Sequence, residues 1–128
     1  MTDSNVDWGQ GLKELGETLG REDKKNGIFL SYFGVADPHA YGIRYIDVGS
    51  DRIAGHRDDW GKPGMDPKKL AISVTNLQAT YYQDKNIFAW LKSIEPEARV
   101  GRSIFLYNFE EDDSARAALW ALRGVRQP

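Results

Sequence analysis

Three short apolar runs constrain this chain more than any other feature: Ile28-Phe29-Leu30-Ser31-Tyr32-Phe33, Leu70-Ala71-Ile72-Ser73-Val74-Thr75, and Ile104-Phe105-Leu106 inside the segment 100–109. Each is too short for a helix of ordinary length and rich in β-branched or aromatic residues, as a buried strand is. Between them, apolar residues recur at helical spacing. Trp8, Leu12, Leu15 and Leu19 share one face of a helix expected from about Asp7 to about Gly20, with Gly9, Gly11 and Gly16 weakening its interior. Ile87, Phe88, Leu91 and Ile94 share a second face, opened by Asp84 and closed before Pro96. Asp112-Asp113-Ser114 opens a last helix, whose Ala115, Ala118, Leu119 and Leu122 point inward. Helices alternating with apolar strands specify an α/β fold: a small, mainly parallel, three- to four-stranded sheet with crossover helices, in a single domain.

The segments in between are loops of different kinds. Arg21-Glu22-Asp23-Lys24-Lys25-Asn26-Gly27 reads as a charged turn, and Asp37 before Pro38 predicts a single capped helical turn. Residues 44–48 fit a short edge strand, and 49–69 is a Gly-, Pro- and charge-rich surface loop. In parallel α/β sheets ligands gather beyond the strand C-termini. That rule selects 34–41, Asn76 to Gln78 and 108–113, and also the opening polar stretch if a strand precedes it.

With 128 residues, 17 Lys and Arg against 19 Asp and Glu, and no cysteine, the chain suits one compact core and excludes disulfides, thiol catalysis and cysteine-held zinc. No basic stripe marks a nucleic-acid surface, so nucleic acid is not an expected partner. No apolar run approaches the roughly 20 residues that span a bilayer. The polar stretch follows Met1-Thr2 at once, which leads us to expect a soluble fragment of a longer protein.

That stretch, Asp3-Ser4-Asn5-Val6-Asp7-Trp8-Gly9-Gln10, has two readings. In one, a short polar side chain such as Asp7 caps the helix start and Trp8 is core. In the other, Asp3, Asn5, Asp7 and Gln10 form a polar rim at a helix N-terminus, where amides and dipole favour an anionic or hydroxyl-rich ligand and Trp8 supplies a face for a sugar ring. Asp3 and Asp7 also form a possible carboxylate pair for hydrolysis. His39 and His56 with Asp58 and Asp59 are the residues that a metal would need, but they lack ligand spacing and fit exposed loops equally well. Gly9-Gln10-Gly11 lacks the strand and third glycine of a dinucleotide loop, and no cofactor is expected.

The chain resembles a known family. Besides the opening stretch, Tyr32-Phe33-Gly34-Val35-Ala36-Asp37-Pro38 with Tyr41-Gly42-Ile43, then Ala71-Ile72-Ser73-Val74-Thr75-Asn76-Leu77-Gln78, then Ala89-Trp90-Leu91 with Pro96, and Val100-Gly101 with Ser103-Ile104-Phe105, occur in that order. Together they look like the extracytoplasmic C-terminal segment of bacterial membrane glycosyltransferases related to the dolichyl-phosphate-mannose protein mannosyltransferases. Gly11 stands where that family usually has an acidic residue, and beyond Phe109 no motif matches. The resemblance implies a domain on the extracytoplasmic side of the cell membrane, partnered by the membrane region of its parent. That parent would move a sugar from a polyprenyl-phosphate carrier to an acceptor, with the catalytic aspartate outside this chain. It also implies contacts with a glycan or lipid-linked sugar through Asp3, Asn5, Asp7, Trp8, Gln10, Tyr32, Asp37, Tyr41, Asn76 and Gln78. An alternative is a non-catalytic structural module packed on that membrane region.

Overall fold

In the computed structural model, described for residues 9–32, 34, 36–48, 58–74, 89–101 and 103–123, helices flank both faces of one mixed sheet. The elements are α1 (Gln10–Thr18), α2 (Arg21–Asn26), β1 (Ile28–Ser31), a 3-10 turn (Pro38–Tyr41), β2 (Tyr45–Asp47), β3 (Lys69–Ser73), a second 3-10 turn (Ala89–Ser93), β4 (Ala98–Val100), β5 (Ile104–Asn108) and α3 (Asp113–Arg123). The five strands lie in the order β2-β1-β3-β5-β4.

The strands are continuous apolar runs because both faces of the sheet are covered. Along β1, Ile28 and Leu30 point to a layer with Leu12, Leu15 and Leu19 of α1, while Phe29 points to the opposite layer. In β3 the alternation is the same: Ala71 faces α1, and Leu70 and Ile72 face Ala115, Leu119 and Trp120 of α3. The Trp120 indole meets the Phe29 ring edge to face, with centroids 5.4 Å apart. Both core layers therefore run through the strands that the sequence marks.

The expected mainly parallel sheet of three to four strands is corrected in direction and in count. β1 is parallel to β2 and β3, but β3 and β5 are antiparallel, with Ser73 opposite Ile104 and Lys69 opposite Asn108. The strand expected around Ile104-Phe105-Leu106 is β5, but it is the second arm of a hairpin whose first arm is β4. Gly101, at φ +60°, turns the chain between them, too tightly for a crossover. Residues 108–113 consequently leave the sheet at the edge opposite the C-termini of β1 and β3.

Local expectations also shift. The charged turn at 21–27 is the helix α2, in which Asp23 accepts a hydrogen bond from the Gly20 N–H at 3.3 Å. Helix α1 begins at Gln10 with Gly9 as N-cap and no side-chain cap, so the start expected near Asp7 moves inward; Asp7 and Trp8 lie outside the described residues. The helix expected after Asp84 is described only at 89–93, as 3-10. Its Leu91 is buried, and the Trp90 and Phe109 rings lie 5.7 Å apart. On α3 the inner face is Ala115, Leu119 and Trp120, whereas Leu122 is exposed. The cap expected at the start of α3 is in place: Asp112 accepts from the Ala115 N–H at 3.0 Å.

Gly16 shows how closely α1 sits on the crossover between β1 and β2. A Cβ there would lie 2.7 Å from the Tyr41 carbonyl oxygen. Gly16→Ala is thus expected to destabilise by about 1–3 kcal/mol, because this backbone clash exceeds the roughly 1 kcal/mol that alanine gains over glycine inside a helix. Chemical denaturation of the two proteins checks the sign.

Candidate functional site

The order of strands in the sheet reverses between β1 and β3, since β1 connects outward to β2 while β3 lies on its other side. In open α/β sheets the C-terminal ends of the strands at such a reversal leave a crevice where ligands bind. Here that edge is built from segments distant in sequence. The start of α1 meets the β1–β2 crossover, where a Cβ on Gly9 would collide with the Tyr41 hydroxyl and lie 3.7 Å from the Ala36 Cβ. The hairpin turn closes over α1 from the other side, where a Cβ on Gly101 would be 3.7 Å from the Gly11 Cα and 3.5 Å from a Glu14 carboxylate oxygen. The turn is tied to the end of β3 by a 2.7 Å hydrogen bond from the Val74 N–H to the Ser103 carbonyl.

The sequence-selected residues are distributed unevenly over this edge. Gln10 opens α1 and is exposed. Tyr41, half-buried, runs along α1 from Gly16 to Gly9, and its hydroxyl forms no hydrogen bond among the described residues. Tyr32 follows β1 at the same edge but is fully buried in the α1 layer. Asp37 caps the first 3-10 turn by accepting the His39 N–H at 3.0 Å. Asp3, Asn5, Asp7, Trp8, Asn76 and Gln78 lie outside the described residues.

The 3-10 turn also sends His39 the other way, into a cluster around Asp59. The buried Asp59 carboxylate accepts from His39 Nε2 at 2.8 Å and from the Tyr45 N–H at 2.9 Å, and pairs with Lys62 Nζ at 2.9 Å. Burial acts to raise its pKa, but the hydrogen bonds from His39, Lys62 and Tyr45 outweigh burial and hold it below the usual carboxylate range. The Tyr45 phenol is pushed upward, by burial first and then by Asp37, Asp47, Asp58 and Asp59, and stays neutral. Asp58 accepts the Asp47 N–H at 2.9 Å, so two carboxylates occupy the outer backbone groups of edge strand β2.

His39, Asp58 and Asp59, three of the four residues that a metal would need, are thereby drawn into structure. His56 is outside the described residues, and among those that are described no group of acidic or histidine side chains is arranged to hold a metal ion. Lys62 is a local partner, but nothing in the sequence marks Asp59 as a clasp, because Tyr45 and His39 are 14 and 20 residues away. No helix of the described residues is long and apolar enough to cross a membrane.

Comparison of the chain with protein-family models, with curated proteins and with solved structures finds no match.

Proposed function

We propose that this chain is the extracytoplasmic domain of a membrane glycosyltransferase, and that its C-terminal sheet edge assists binding of the acceptor or glycan. The observation that carries this reading is where the strings of the family resemblance lie in the fold. All but Ala89-Trp90-Leu91 have described parts at one edge: Gly9-Gln10, Ala36 with Tyr41, Ser73-Val74, and Gly101 with Ser103. Residues serving only the core have no reason to gather at the rim of a sheet, whereas residues facing a shared ligand do. Among the described residues the polar groups there include the Tyr41 hydroxyl, the Gln10 amide and backbone amides, a set suited to hydroxyl-rich ligands. Transfer itself is assigned to the membrane region of the parent.

The test separates binding from folding. Tyr41→Phe keeps the ring against Gly9 and Gly16 and removes only the hydroxyl; Gln10→Ala removes one exposed side chain. Each is expected to leave the stability of the isolated chain within about 0.5 kcal/mol of the parent value. Each is also expected to lower sugar transfer by the full-length membrane protein by about tenfold, the effect of one lost ligand hydrogen bond near 1.4 kcal/mol. Normal transfer in both variants removes the binding role. A parent gene without membrane-spanning segments upstream removes the family reading as well.

A further inference from the structure

At the opposite edge of the sheet lies a cavity of about 250 Å³, lined by Glu22, Asp23, Asn26, Lys68, Lys69, Asn108 and Glu110. Its walls come from α2, the start of β3 and the end of β5, and they meet only because β5 runs antiparallel to β3 and sets Asn108 opposite Lys69. We propose that this cavity is a binding site for a neutral, polyhydroxylated ligand of about one sugar ring in size. The proposal is independent of the glycosyltransferase reading, which concerns the other edge.

Both lysines of the walls are compensated by neighbouring carboxylates, and Glu22 and Glu110 leave the cavity with an excess of negative charge. Lys69 Nζ sits 3.0 Å from an Asp23 carboxylate oxygen and 3.3 Å from one of Glu97, and Lys68 Nζ is 3.4 Å from Asp66. Burial alone would lower the Lys69 pKa, but Asp23 and Glu97 reverse that and keep the amine charged. An incoming phosphate would have to compete with these carboxylates for the ammonium groups, and Glu22 and Glu110 at the rim would repel it. Among the described residues these carboxylates are not arranged to hold a metal ion.

What the cavity offers instead is fixed hydrogen-bonding capacity. The Asn108 carboxamide is held at both ends, donating to Glu97 at 2.9 Å and accepting from the Glu110 N–H at 3.0 Å, with a second N–H and a second lone pair to spare. Asp23 is held by Lys69 and by the Gly20 N–H through one oxygen, which leaves the other as an acceptor. The Asn26 carboxamide and the Glu22 carboxylate form no hydrogen bond among the described residues, and both line the cavity. The held groups of Asn108 and Asp23, on opposing walls, match adjacent hydroxyls, which both donate and accept, at little ordering cost, and Asn26 and Glu22 add further groups. The volume lies just below the range of about 300–1,000 Å³ typical of small-molecule pockets, which suits a single ring over an oligomer. Among the described residues no aromatic side chain lines the cavity, so millimolar affinity is expected.

The test is an NMR titration of the whole chain, following backbone and side-chain amides, with methyl α-D-glucopyranoside, methyl α-D-mannopyranoside and myo-inositol as probes. Inorganic phosphate and glycine serve as charged competitors. At least one polyol is expected to give saturable shifts at Asn26, Lys69 and Asn108. Asn26→Ala is expected to weaken that binding about fivefold, the loss of one hydrogen bond. Because the Asn26 side chain makes no hydrogen bond among the described residues, the variant's spectrum elsewhere should match the parent; Glu22→Gln supplies a second fold-neutral variant. Absence of saturable shifts with every polyol overturns the proposal. So does stronger binding of phosphate or glycine at these residues, or unchanged affinity in both variants.

Discussion

Trp120→Ala is expected to lower the unfolding free energy by about 3–5 kcal/mol, more than any other substitution proposed for this protein. The indole is 7 % exposed, joins the layer with Phe29, Leu70 and Ile72, and stacks edge to face on Phe29. Its removal leaves a void under the centre of the sheet that the rigid strands on one side and α3 on the other cannot close. For a domain whose total stability is of the order of 5–15 kcal/mol, that loss is a large fraction. Urea denaturation measures it, with Leu122→Ala on the exposed face of the same helix as a control within about 0.5 kcal/mol. The result matters beyond packing, because α3 lies past the last residue of the family resemblance. A loss below about 1 kcal/mol would show that α3 is an appendage, and that the domain closes without it.

The second large effect is expected at Asp59. Asp59→Ala removes the acceptor of the Tyr45 N–H together with the partners of His39 and Lys62. His39 and Lys62 are exposed enough to regain water, so the main cost is the orphaned amide, and the loss is expected at about 2–3 kcal/mol. Asp59→Asn keeps one oxygen for that amide and should lose roughly 1 kcal/mol. The pH dependence follows from the direction of the Asp59 shift. Its folded-state pKa lies below the unfolded value of 3.8, so the unfolded chain binds the proton more readily. The stabilisation is present above that value and is lost as pH falls through the folded-state pKa. Denaturation between about pH 2 and pH 6 should therefore show an acid limb that is shallower in Asp59→Asn. An identical limb in the two proteins would mean that other carboxylates carry the acid transition.

The candidate edge was partly legible in the sequence. The rule that ligands collect beyond parallel strands puts 34–41 at that edge, where the fold has the described residues of that segment, since β1 and β3 are parallel as the alternation of helices and strands implies. It misplaces 108–113, which belongs to the far edge. Gly101 and Ser103 carry no signal of their own outside the family resemblance; that they close the near edge appears once the hairpin is seen. The far cavity left no local signal at all: Asp23, Lys69, Glu97 and Asn108 are ordinary surface residue types, joined across 46 residues in the Asp23–Lys69 pair.

The sequence by itself determined that the three apolar runs are core strands, though it did not show the edge strand β4. Double-sided burial demands an uninterrupted apolar run, and a run such as Ile28-Phe29-Leu30 leaves few other states open. It also determined local caps, because Asp37 before Pro38 and Asp112 before Ala115 act within one turn of chain. Only the tertiary structure decided the direction of β5, since a buried strand has the same apolar composition whichever way it runs. Helix α2 was likewise invisible: Arg21 to Asn26 has no apolar face to show a period, and the helix is held through its charges, by Asp23 on Gly20 and on Lys69 of β3. The carboxylates of Asp58 and Asp59 look exposed in the sequence because their partners, the outer amides of β2, exist only once an edge strand has formed and must be satisfied.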